Sequence, residues 1–154
     1  MDAKTVILGI SAIVAGIALY LNSKSNKRKS TIDLVLNQRS DEKLAESRSI
    51  VIRLNESHEI TKYAMDEHKG SDERNSILDV LNNYEFIATG MREGAFDISL
   101  YRRMRYSTVK NDWHALKPFV YELRRQHNTQ TAFQEFEWLA RKFTKKSLKV
   151  DNDC

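Results

Sequence analysis

Val6 to Leu21 reads VILGISAIVAGIALYL without one charged side chain, and Asn22 to Lys29 reads NSKSNKRK with four cations. A bilayer core about 30 Å thick is crossed by roughly 17 to 20 apolar residues in a helix that rises about 1.5 Å per residue. With Thr5 the run counts 17 residues, short but sufficient. Its anchoring side chains are Val6, Ile7, Leu8, Ile10, Ile13, Val14, Ile17, Leu19, Tyr20 and Leu21. Lys24, Lys27, Arg28 and Lys29 follow the run, whereas only Asp2 and Lys4 precede it. The positive-inside rule therefore predicts a single-pass helix with its N-terminus outside and the rest of the chain in the cytoplasm, the four cations lying at the level of the lipid headgroups.

A secretory signal peptide also opens with a basic residue and an apolar core. It ends, however, in small side chains before the cleavage point, and this run ends in Leu19-Tyr20-Leu21-Asn22 with cations directly behind, which oppose translocation. The sequence favours the anchor. Ala12 and Gly16 form a small-xxx-small pair on that helix, a spacing that permits close helix pairing but occurs in any Ala/Gly-rich apolar helix, so homo-oligomerisation is left undecided.

The whole chain carries 25 Lys/Arg against 21 Asp/Glu. Residues 1–30 hold five of those cations and one acid, and residues 31–154 hold 20 of each. The positive balance thus belongs to membrane topology, which removes the main argument for nucleic acid as a partner. Within the neutral part, 98–154 has 12 basic and 6 acidic residues and is the more electropositive half. The single Cys, Cys154, allows no internal disulfide and suits a reducing compartment.

The remaining chain is long enough for one domain with its own core, and its pattern is helical. One Pro and five Gly interrupt 154 residues, and Gly9 and Gly16 fall in the apolar run. Thr31 to Lys69 lacks both, with Leu44, Val51, Leu54, Ile60 and Tyr63 spaced as on one or two long amphipathic helices. Gly70 stops that segment and Ser71 or Asp72 caps the next, whose apolar face is Ile77, Leu81, Tyr84, Ile87, Ala88 and Met91. Asp97 caps a third helix, with Leu100, Tyr101 and Met104 inward. Pro118 must open or kink the segment Asn111 to His127. A final helix spans about Thr129 to Leu148, with Phe133, Phe136, Leu139 or Ala140, and Phe143 inward and Lys142, Lys145, Lys146 and Lys149 near its end. The expected fold is all-α: a membrane anchor over 1–22, a basic juxtamembrane linker over 23–31, a cytosolic bundle of about four to five helices over 32–148, and a disordered tail over 149–154.

The stretch Ile77-Leu78-Asp79-Val80-Leu81-Asn82-Asn83-Tyr84-Glu85-Phe86-Ile87-Ala88-Thr89-Gly90, followed by Gly94-Ala95-Phe96-Asp97, resembles the bacterial and phage family known as domain of unknown function 4760. The Trp113-to-Pro118 region, Leu123-Arg124-Arg125 and Phe133 to Ala140 resemble its later blocks, and the resemblance covers roughly 45–143. It implies a helical fold, a bacterial or phage source, hence an inner-membrane location, and an N-terminal membrane segment of the kind common in that family. It implies no activity.

Catalytic signatures are sparse. His58, His68, His114 and His127 are scattered with no HExxH motif or Cys partner, and there is no phosphate loop or nucleophile elbow. Neither a metal nor a cofactor is expected, and the chain is read as no enzyme; a hydrolase would need His114 or His127 to meet carboxylates in a pocket. Asn82, Asn83 and Glu85 border the apolar helix face that carries Tyr84, as either a binding site or packing groups, and a buried Glu85 would need a counter-charge such as Arg124. Arg102, Arg103 and Arg105 are either a solvated face or a phosphate or headgroup contact. The expected function is a non-enzymatic single-pass protein whose domain binds a protein partner at the inner membrane; in a phage-encoded member that partner belongs to the host envelope or its defences. The alternative is a membrane-tethered nucleic-acid or nucleotide-binding module using those Arg, Arg124, Arg125 and the C-terminal lysines, with Tyr101, Tyr106 and Trp113 for stacking.

Overall fold

The computed structural model describes residues 2–145, apart from the side chains of Ala3, Thr5 and Val6. Lys146, Lys149, the tail 149–154 with Cys154, the last turn of the expected final helix and the anchoring Val6 side chain lie outside the described residues. Among the described residues there are five α-helices, two short 3-10 helices and no strand.

Helix α1 spans Ala3–Ser40, 38 residues, a rod of about 57 Å. The segment expected as a linker over 23–31 is part of this same rod. Asn22 to Thr31 contains no Gly or Pro, its Lys and Arg are good helix formers, and extending an existing helix requires no new nucleus. The apolar part lies outside the core, with Ile7, Leu8, Ile13 and Leu19 all exposed. Further along, Thr31, Val35 and Gln38 are buried on one face, so one helix is both the apolar rod and a wall of the domain.

The Gly- and Pro-free stretch after Thr31 is broken twice. Asp41 caps α2, Glu42–Glu56, by accepting from the Leu44 amide at 2.9 Å, which gives the chain a competitive helix start one residue after α1 ends. After Glu56, His58 takes a left-handed conformation with φ 57°, and two 3-10 helices follow, Ile60–Ala64 and Asp66–His68. Buried Arg74 stabilises this irregular stretch by donating to the carbonyls of Ala64 and Met65, at 3.3 and 2.6 Å.

Helix α3, Asp72–Arg92, starts at a Ser71 cap after left-handed Gly70, and all six expected inward residues are buried. Gly90 meets Phe96 so closely that a Cβ there would sit 2.5 Å from its ring. Helix α4, Ile98–His127, is capped by Asp97 and runs through Pro118, whose exposed ring leaves the interruption on the solvent side. The two expected segments are thus one helix. Helix α5 runs Gln134–Lys145 and starts later than the expected Thr129. Asn128 and Phe133 have φ 47° and 56°, and the Arg124 guanidinium holds the Ala132 carbonyl at 2.9 and 2.7 Å, which keeps the intervening loop out of the helix. Phe136 and Phe143 of α5 are fully buried, and Phe136 stacks on Tyr84 at 4.2 Å.

Tyr101 is fully buried and donates to Gln38 Oε1 at 3.1 Å. Burial pushes its phenol up to about 12, from an ordinary value of 10.0. A raised folded-state pKa contributes stability that is complete below pH 10 and is lost as pH rises toward 12, because only the unfolded chain ionises in that window. Tyr101→Phe is expected to remove part of the alkaline decline in unfolding free energy between pH 10 and 12. Denaturant titrations of both proteins across that range check this; parallel slopes would count against it.

Candidate functional site

The residues Asn83, Tyr84 and Glu85 follow one another on α3, and successive helical side chains point about 100° apart. Each reaches a different helix. Asn83 Oδ1 accepts from Gln38 Nε2 of α1 at 2.8 Å, and the Tyr84 hydroxyl donates to Asp112 Oδ2 of α4 at 2.7 Å. Glu85 accepts from the amides of Glu135 and Phe136 at 3.2 and 2.9 Å, at the start of α5. Its carboxylate therefore satisfies two of the free amides of that helix and complements its dipole. The expected Glu85–Arg124 pair does not form, because the α5 amides supply what a half-buried carboxylate needs. Asn82 points to the surface.

Arg124 is buried against Glu137 at 2.7 Å. Burial raises the Glu137 carboxyl, but Arg124, Tyr121 and Arg141 outweigh it and hold the group below its ordinary range. A second knot joins α2 to α4: Arg48 donates to Asp112 from Nε and Nη2, at 2.7 and 2.9 Å, and Tyr84 shares the same carboxylate. Asp112 is buried, and burial, followed by the charge of Asp112, lifts the Tyr84 phenol well above its usual value. These groups hold helices together.

Sequence reading missed Gln38, Arg48, Asp112 and Glu137. A signal for Asp112 was available: Val109, Asp112, Leu116 and Phe119 recur at three to four residues, which turns an acid toward the core.

A further group of polar side chains lies where α1 leaves its apolar run. Thr31 donates to the Lys27 carbonyl and accepts from the Asp97 amide, both at 2.8 Å, which pins the α3–α4 turn to α1. Half-buried Lys27 lies over Gly94 of that turn. Lys27 follows Leu21 by six residues, about 9 Å along the axis. A cleft lined by Tyr20, Ser23, Lys24, Lys27, Phe96 and Ile98 opens there, and Arg28 and Lys29 lie on the other side of α1 beside Leu21 and Ile32.

Of the arginines on α4, Arg103 is exposed, while Arg102 and Arg105 are half-buried with Nε atoms that are buried and lack a hydrogen-bond partner among the described residues. Arg102 lines a notch with Ile98, Ser99, Lys142, Phe143 and Lys145. The aromatics expected for base stacking are engaged elsewhere. Tyr101 is fully buried, Tyr106 stacks on Phe143 at 6.3 Å, and Trp113 meets Phe136 edge-on at 5.1 Å. His114 and His127 are exposed, and His127 approaches Asp66, at 3.9 Å. No group of three or more His, Cys, Asp or Glu suited to a metal ion occurs among the described residues.

Residues 5–143 match the family described as Domain of unknown function (DUF4760), further toward the N-terminus than the stretches that carry the resemblance in the sequence. No curated protein and no solved structure matches the chain.

Proposed function

The chain belongs to the DUF4760 family, and from that premise we propose that it is a single-pass protein of a bacterial inner membrane. Its cytoplasmic helical domain recruits a membrane-associated protein partner without catalysing a reaction. The observation that carries this reading is α1 itself: long and apolar enough to cross a membrane, unburied over its apolar window, and continuous with a segment seated in the domain core. Cations at its inner end support the cytoplasmic orientation.

Tethering raises the effective concentration of a modest binding surface toward other membrane-bound proteins. The surface suited to this is the outer face of α1, where Ile32 and Leu36 are 42% and 53% exposed, one turn apart, directly beyond Lys29. A partner helix rising from the same bilayer meets that face first. A host envelope or defence component fits this geometry in a phage-encoded member.

Cell fractionation tests both parts. The intact chain is expected in the membrane pellet and to resist alkaline carbonate extraction, whereas a chain lacking residues 3–22 is expected in the supernatant. A photo-crosslinker at Leu36 is expected to capture one membrane protein in the intact chain only. An intact chain in the supernatant, or no crosslinked product in membranes, would sink the reading.

A further inference from the structure

We infer that the notch between α4 and α5 is a docking site for the phosphate headgroups of anionic phospholipids, which seats the domain against the bilayer; this rests on α1 being a membrane anchor. Ile98 borders two surfaces. On one side it closes the cleft with Tyr20, Lys24 and Lys27 of α1, and on the other it opens the notch with Arg102, Lys142 and Lys145. The notch therefore adjoins the stretch of α1 that emerges from lipid, and its three cations continue the row begun by Lys24 and Lys27.

The chemistry suits a phosphodiester beside an acyl chain. Arg102 presents a guanidinium fork whose buried Nε has no partner among the described residues, and a fork matches phosphate oxygens in pairs. Lys142 and Lys145 are exposed one turn apart on α5 and face no carboxylate within the notch, with the Lys142 ammonium 5.1 Å from the centre of the Trp138 ring. Ile98 and buried Phe143 form an apolar floor. The notch is about 320 Å³, the size of a headgroup rather than of a folded segment. An anionic leaflet attracts nearby cations, and that attraction decays over a Debye length of about 8 Å. The Thr31–Asp97 contact holds the notch cations at the membrane end of the domain, nearer that field than the cations at the far end of α4.

Deuterium uptake of the full chain in lipid nanodiscs tests this, with discs of phosphatidylcholine alone compared with discs that also contain phosphatidylglycerol. Residues 98–105 and 138–145 are expected to exchange several-fold more slowly in the anionic discs, and high salt is expected to abolish the difference. Arg102→Gln with Lys142→Gln and Lys145→Gln is expected to lose that protection while matching the native chain in phosphatidylcholine. Lys62→Gln with Lys69→Gln and Arg125→Gln, an equal charge loss at the other end of the bundle, is expected to keep it. Equal uptake in both kinds of disc, with the chain incorporated, overturns the notch and leaves the anchor standing. Protection reproduced by inorganic phosphate in phosphatidylcholine discs overturns the lipid source. A chain that fails to enter discs overturns the anchor and this inference with it.

Discussion

Asp112→Ala is expected to lower the unfolding free energy by about 3–5 kcal/mol, the range for removing one partner of a buried ion pair. Asp112 is 5% exposed and accepts from Arg48 Nε and Nη2 and from Tyr84. Alanine would leave the Tyr84 hydroxyl without a partner inside the core and the Arg48 guanidinium without its counter-charge, and unpaired buried donors are costly. Asp112→Asn keeps an acceptor but loses the charge, so it is expected to fall between the two. Urea unfolding of the full chain in detergent micelles, followed by circular dichroism, measures both. A loss below about 1 kcal/mol for the alanine variant would mean that the knot is exposed to solvent.

Phe136→Ala is expected to cost about 3–5 kcal/mol, as for other fully buried phenylalanines. The ring lies between Tyr84, parallel at 4.2 Å, and Trp113, edge-on at 5.1 Å. Its removal leaves a cavity where α3, α4 and α5 meet and takes away both aromatic contacts. Because the Phe136 amide is also held by Glu85, the variant is expected to loosen the first turn of α5 as well. Tryptophan emission checks the local effect, since Trp113 would face water and shift to longer wavelength. An unchanged spectrum with unchanged stability would show that α5 is not docked through this ring.

The helical class was legible because apolar residues recur at three to four with little Gly or Pro to interrupt them. The faces of α3 and α5 and the caps at Ser71 and Asp97 could be read in the same way. Three features escaped that logic. Residues 23–31 look like a connector by composition, yet polar residues with good helix propensity continue a rod that is already formed. The break at Asp41 depends on a side chain competing for one amide, which periodicity does not register. The sequence says only that Glu85, if buried, needs a counter-charge, and the partner is a helix terminus rather than a cation. Backbone amides at a helix start carry no signature of their own until the loop before them is placed, and that loop is set by Arg124 and Ala132. The free cations could be named from the sequence, but their gathering at one end follows from the Thr31–Asp97 contact, between residues 66 apart.

An unbroken α1 makes angle as well as distance a property of this protein. A flexible tether lets its cargo wander, whereas a stiff shaft transmits every tilt and twist of its apolar half to the bundle. One residue inserted between Asn22 and Thr31 would swing the bundle by about 100° and lift it about 1.5 Å. The face it shows to its surroundings is therefore dialled by the length of the shaft.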